Sequence, residues 1–341
     1  MSNAAKILSV EPRYAIPGGE ITIECEDNRV SFDGRSGVLI DGVECRLTAA
    51  SSNRILAIIP DGTDGGHVQL ELLSDGMKSE PYSVVIGKQI ASEMHMVANP
   101  AIDPSDDAII LTRSGSRGQQ LPVTLFRLET DGYLDEMNEA VLNPTGIAFG
   151  PDGDMYVTNR AQGEVYAIDS SGSSSIYASG LGIATAIAFD RNGTMFVGDR
   201  MGTIYQVNDF ADVEIFTKSE ASVAAVHMAF APDGRLFMTA PGFASKDAIH
   251  VIDVNGSSSI FYRGLGRPQG LAFDKDGALY AAACFRGRHG VVRIDPDGQS
   301  AECIVSGNGL VGLCFTRSGE MILATAETVY SLPCGIYGTL I

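Results

Sequence analysis

The chain has 341 residues, 45% of them hydrophobic, which is enough for buried cores and, at roughly 150 residues per domain, suggests two domains. Its 24 basic and 42 acidic residues leave a formal charge of -18, a surface that repels phosphate backbones and anionic membranes and argues against nucleic-acid binding. No run of about 18 apolar residues occurs, which excludes a spanning helix.

The opening MSNAAKILSV lacks the basic-then-apolar pattern of a signal peptide, so a cytoplasmic home is the default expectation. Cys25, Cys45, Cys284, Cys303, Cys314 and Cys334 form no CxxC pair and no zinc spacing. Most lie in apolar runs, where buried free thiols are expected. Residues 5–87 read as short alternating strands at 21–23, 38–40, 55–59 and 68–72. Turn signals separate them at Gly18-Gly19, Asp41-Gly42, Pro60-Asp61-Gly62 and Asp75-Gly76. That spacing predicts a small antiparallel sandwich. The join at Gly87-Lys88-Gln89 is too short and too poor in Gly and Ser to swing freely, which predicts that the segments on either side keep a fixed orientation.

From about residue 90 a repeat takes over. Phe149, Phe189, Phe230, Phe273 and Phe315 lie 40, 41, 43 and 42 residues apart, each followed four residues later by a turn glycine. A period near 40 with about four short strands per unit is the signature of a β-propeller. Six units fit in 90–341. The first is irregular, with Ile102 in place of Phe and Asp106 in place of Gly, and the sixth lacks a fourth strand of its own. Because an open edge invites aggregation, a strand from about 89–97 is expected to complete the last blade. The Asp-Gly and Asn-Gly pairs read as hairpin turns, and they lack the ligands of a calcium loop. The lone GxGxxG at 307–312 falls between strands, away from any strand-to-helix turn, and reads as a chance match.

The order of landmarks in 5–87 resembles the IPT/TIG family of immunoglobulin-like domains, through Val10-Glu11-Pro12, Pro17-Gly18-Gly19, Ile40-Asp41-Gly42 and Ile59-Pro60-Asp61-Gly62. That resemblance implies a fold and often a docking role. Residues 143–332 resemble the NHL-repeat proteins and the senescence-marker/gluconolactonase group, through Asn143-Pro144-Thr145-Gly146, the 149–153 turn and the 267–277 segment. The lactonase-type resemblance implies a divalent metal held by carboxylates and amides at the mouth of the central channel. In this chain the implied ligand register holds Ala98, Thr145, Thr185, Val226, Gln269 and Val311, with no carboxylate. No catalytic residue and no cofactor are therefore expected, with a cation near Asn99, Asn143 and Gln269 as the alternative.

A different feature stands out. Arg113, Arg160 and Arg200 share one register, seven residues after the turn glycine or its equivalent. In a four-stranded blade the loop after the second strand and the loop between blades share one face. Arg117, Lys246, Arg267, Arg286 and Arg288 map to that face as well. With Asn159, Asp199 and His289 beside them, Arg113, Arg117, Arg160, Arg200, Arg286 and Arg288 form the expected binding set, since guanidinium suits carboxylate or phosphate. The competing reading pairs each arginine with Glu164, Asp199 or Asp247. The expected partner is a small anionic molecule, a carbohydrate or a protein. A lactonase-like hydrolase or lyase and a non-catalytic scaffold are the alternatives.

Overall fold

A computed structural model describes residues 4–31, 35–115, 119–137, 141–243 and 246–339. The described chain is all-β, with no helix, and so none long and apolar enough to cross a membrane.

Six four-stranded antiparallel units follow one another from residue 101. Blade 1 comprises Ala101–Ile102, Ile109–Thr112, Leu125–Leu128 and Leu134–Glu136. Blade 2 runs through Pro144–Phe149, Met155–Asn159, Glu164–Ile168 and Ser174–Ala178. Blade 3 has Ala184–Phe189, Met195–Asp199, Thr203–Val207 and Val213–Lys218, and blade 4 has His227–Phe230, Leu236–Thr239, Asp247–Ile252 and Ser258–Leu265. Blade 5 contains Leu271–Phe273, Leu279–Phe285, Arg288–Ile294 and Ala301–Ser306. Blade 6 takes Leu310–Phe315, Glu320–Thr325 and Val329–Pro333 from the end of the chain, and its outer strand, Lys88–Ala91, from before the ring. The first strands touch in a closed cycle, blade 6 meeting blade 1, which is the arrangement of a β-propeller.

The repeating phenylalanines have a packing role that accounts for their spacing. Phe189, Phe230, Phe273 and Phe315 each pack edge-on against an aromatic in the second strand of the preceding blade, while Phe149 packs against the aliphatic core around Ile110. The pairs are Tyr156–Phe189 and Phe196–Phe230, with centroids 5.1 and 5.4 Å apart, then Phe237–Phe273 and Tyr280–Phe315 at 4.9 and 5.0 Å. This is the favoured geometry for aromatic quadrupoles. At the closure, aliphatic Ile322 and Ile102 share a core instead, which is why the first unit dispenses with the Phe. The turn aspartates at the other end of these strands are occupied locally. Asp152, Asp190, Asp233 and Asp274 each accept backbone N–H bonds two residues on, and Tyr156 and Tyr280 donate their hydroxyls to Asp152 and Asp274.

The described residues up to 87 form two sheets around one apolar core that includes Ile23, Ile55, Val38, Leu70 and Ile86. One sheet is Lys6–Glu11, Glu20–Glu26, Arg54–Ile58 and Arg46–Ala50. The other does not end at the sandwich. Tyr14–Ala15 lies parallel between Tyr82–Ile86 and the outer strand of blade 5, merging the sheet with the blade into ten strands. Ile16 N–H donates to the Ser306 carbonyl at 2.9 Å, and a side chain on Gly19 would run into that carbonyl. Main-chain ladders therefore cross the join.

Candidate functional site

The central channel is a cavity of about 360 Å³ lined by the first strands of all six blades. Its wall is mostly apolar, with Asn99, Thr185 and His227 among its few polar side chains. The donor set does not fit the divalent metal that the lactonase resemblance implies. Thr145 and Thr185 are buried, and no carboxylate stands in the register. Asn99 is spent on bridging blades: its amide donates to the Leu271 carbonyl at 2.9 Å and its oxygen accepts Leu313 N–H at 3.1 Å. Gln269 points its amide at the Leu310 carbonyl, 3.4 Å away. Asn143 Oδ1 is occluded and unpartnered. Among the described residues no three His, Cys, Asp or Glu side chains form a metal-binding group. A hard cation needs several oxygens, usually including anionic ones, and the Asn99 oxygen is already taken by Leu313 N–H.

The loop end of the ring is different. Arg113 is half-buried, donates from Nε to the Glu93 carbonyl at 2.8 Å and stacks over Phe126 at 4.5 Å. Arg200 is exposed and donates to the Ser222 carbonyl at 3.3 Å. Arg160 is half-buried, and both burial and the neighbouring Arg200 guanidinium hold its pKa below the usual arginine value. The carboxylates expected to neutralise them are engaged elsewhere. Glu164 accepts from the Asn159 amide at 3.2 Å, and Asp247 accepts Gly242 N–H at 3.4 Å. Asp199 accepts the N–H groups of Ile183 and Met201, both at 2.9 Å.

Among the described residues, Arg113, Arg160, Arg200, Arg267 and Arg286 have no salt bridge. The propeller arginines that do, Arg127, Arg235, Arg293 and Arg317, pair with Asp103, Asp233, Asp295 and Asp107 at the opposite, aspartate-rich end. The salt-bridged propeller guanidiniums therefore all lie at the aspartate-rich end among the described residues, although Arg191, in the turn after Asp190, is at that end without a salt bridge.

The remaining expected site residues fall into different places. Asn159 and Asp199 are buried. Asn159 Oδ1 accepts the N–H groups of Ala161 and Gln162, so both residues shape the arginine loops from below. Arg286 is exposed and stacks on Phe285 at 4.9 Å. Arg288 turns away from the ring to donate to Thr22 Oγ1 at 2.6 Å, because the N-terminal sandwich sits against blade 5. His289 lines a separate cleft of about 210 Å³ between blades 5 and 6, together with Arg267, Gln269 and Cys284. Arg117 lies outside the described residues. Sequence reasoning treats Cys284 as a packing thiol and misses its place in this cleft. The signal that points to it is the two-residue turn Arg286-Gly287, which fixes the register of the hairpin around it.

A family model described as the SMP-30/gluconolactonase/LRE-like region matches residues 137–327, more than half the chain. No curated protein sequence matches. Among solved structures, a putative gluconolactonase superposes with a TM-score of 0.60 at 14% identity, over 74% of this chain and 93% of its own. An auxiliary nutrient binding protein from Bacteroides thetaiotaomicron gives 0.56 at 12% identity over 96% and 97%, a match that includes the N-terminal sheets. Virginiamycin B lyase from Staphylococcus aureus gives 0.52 at 15% identity over 87% and 99%. Likenesses at this identity are likenesses of fold.

Proposed function

The chain belongs to the SMP-30/gluconolactonase/LRE-like family, and from that premise we propose that its propeller binds a small anionic molecule, a sugar acid or acidic peptide among them, on the arginine-bearing loop face. The observation that carries this reading is the Arg160–Arg200 pair: two neighbouring guanidiniums, one half-buried, with no salt bridge to offset them among the described residues. Burying like charges together is costly, and an anion bridging them turns that cost into binding energy. Charge-assisted, bidentate hydrogen bonds are the strong ones available to arginine. The nutrient-binding protein among the similar structures supports a binding role. The missing carboxylates of the metal register weigh against lactonase chemistry.

The N-terminal sandwich is, on this reading, an IPT/TIG-type module that orients the ring, and the blades are NHL-like repeats. The test is calorimetric titration with citrate, glucuronate and a glutamate-rich peptide. At least one should bind, and Arg160→Ala should weaken it by about tenfold or more, the value of a charged hydrogen bond. Absence of binding by all three, or binding unchanged in both Arg160→Ala and Arg200→Ala, rejects the proposal.

A further inference from the structure

The cleft between blades 5 and 6 brings a nucleophile, a base and a cation together. The Arg286-Gly287 turn has φ of 50° and 85°, the two positive values of a type I′ hairpin, and sets Cys284 directly opposite His289. The main-chain N–H and C=O of Cys284 both bond to Gly266 on its other side, at 2.9 and 2.7 Å. On the His289 side the two residues are therefore a non-hydrogen-bonded pair, the kind with Cα atoms only about 4.5 Å apart and side chains closest. Gly266 carries no side chain to cover the thiol; a Cβ there would lie 3.8 Å from Cys284 Sγ. Arg267, exposed and without a salt bridge among the described residues, and Gln269 line the same cleft.

We propose that Cys284, His289 and Arg267 form a thiol site for a small carboxylate that carries an electrophilic carbonyl carbon next to its acid group. Arg267 holds the carboxylate and Cys284 Sγ forms a bond to the carbonyl carbon. The carbonyl π pair moves onto oxygen, and His289 carries the thiol proton to that oxygen. The product is a hemithioacetal or hemithioketal, nothing is oxidised, and the addition reverses by the same path. The other five thiols are poor competitors, because burial raises the pKa of each, Cys45 to about 12 and Cys303 to about 11, and the thiolate is the reactive form. The site uses none of Arg113, Arg160 or Arg200, so it stands or falls separately from the anion-binding reading.

Alkylation of the whole chain, followed by peptide mass mapping, tests it. Iodoacetate places a carboxylate beside the carbon that Sγ attacks; the S–C bond forms, iodide leaves with its electron pair, and the thiol proton goes to His289. Cys284 is expected to be the first cysteine modified, with Arg267→Gln slowing iodoacetate about tenfold and uncharged iodoacetamide less than twofold. Glyoxylate, the smallest acid of the proposed class, should slow iodoacetamide labelling of the unaltered protein, with full recovery on dilution. The proposal is overturned if Cys284 reacts no faster than the other cysteines or gains no protection from glyoxylate, readouts that need no variant. It is equally overturned if a folded Arg267→Gln, checked by its melting temperature, loses no preference for iodoacetate.

Discussion

Arg288 donates from Nη2 to Thr22 Oγ1 at 2.6 Å across 266 residues of chain, tying the second hairpin of blade 5 to the N-terminal sandwich. The tie reinforces a main-chain ladder. Tyr14–Ala15 completes the ten-stranded sheet, and the Tyr14 and Ile16 side chains share a core with Val291, Val305 and Leu313 of the ring. The two parts should unfold together, giving one denaturant transition by every probe. Gly19→Ala, which pushes a methyl into the Ser306 carbonyl, is expected to cost about 1–3 kcal/mol as an overpacking change, or to split the transition in two. Arg288→Ala should cost about 1 kcal/mol, the ordinary value of a hydrogen bond. Two separate transitions in the unaltered protein would show that the shared sheet does not couple the parts.

The inter-blade aromatics yield a sharper stability prediction. Phe237 is 1% exposed and meets Phe261 and Phe273 edge-on, each at 4.9 Å. Phe237→Ala should cost about 3–5 kcal/mol, as large-to-small changes of a buried aromatic do, and Phe237→Leu clearly less. Chemical denaturation measures both. A loss under about 1 kcal/mol for the alanine variant, well below that range, would mean that the stacked series does not hold neighbouring blades together.

These aromatics also show how much of the fold is legible in the sequence. The spacing of Phe149, Phe189, Phe230, Phe273 and Phe315 stands out because one packing problem recurs at successive blade junctions, four of them solved by the same aromatic pair, and recurrence is what a sequence displays. The use of a polar side chain does not recur in that way. Asp199 and Arg200 are adjacent in sequence and share the expectation of facing a ligand, yet Asp199 is turned inward to hold two N–H groups and Arg200 is exposed. Arg288 falls on the expected face by register but is taken by Thr22, a contact that depends on how two distant segments dock. Cys284 becomes visible only through its cross-strand partner.

His227 gives the pH dependence. Its ring is buried at the channel wall, Nε2 has no hydrogen-bond partner, and burial pushes the pKa down from 6.5 to about 4. The folded protein therefore keeps it neutral while the unfolded chain binds a proton below about pH 6.5. Stability is fully present above that pH and is lost as pH falls through the window towards 4, by on the order of 3 kcal/mol. His250, half-buried beside Arg263, shifts in the same direction and adds to the loss. His227→Gln should flatten most of the slope between pH 6.5 and 4 in a series of denaturant midpoints. An unchanged slope in that variant would assign the acid sensitivity to other groups.

Asp199 acts on the arginine face from beneath. Its Oδ1 accepts the N–H groups of Ile183 and Met201, and Gly182 packs so closely that any side chain there would strike the carboxylate. Asp199→Ala leaves two part-buried donors without their acceptor, a loss of about 1 kcal/mol for each, since water can partly replace the carboxylate. It also frees the loop that carries Arg200. Anion affinity should fall with it, while Asp199→Asn, which keeps an acceptor oxygen, should retain most of both. Equal behaviour of the alanine and asparagine variants in thermal melts and titrations would remove Asp199 from any positioning role.

The Arg160–Arg200 pair leads to a prediction of opposite signs. Without an anion the two guanidiniums repel, and Arg200, being exposed, is partly screened by water and salt. Removing one charge should therefore stabilise the free protein, and Arg200→Gln is expected to raise its stability at low ionic strength by a few tenths of a kcal/mol, the scale of surface charge effects. The same change removes half of the anion clamp, so the rise in melting temperature that a bound anion produces should shrink sharply. Stability gained at the expense of binding is the mark of a site kept strained for function. Melting curves of both proteins, with and without citrate at two salt concentrations, separate the terms. If Arg200→Gln destabilises the free protein and keeps the full citrate response, the two arginines are surface residues and the anion binds elsewhere.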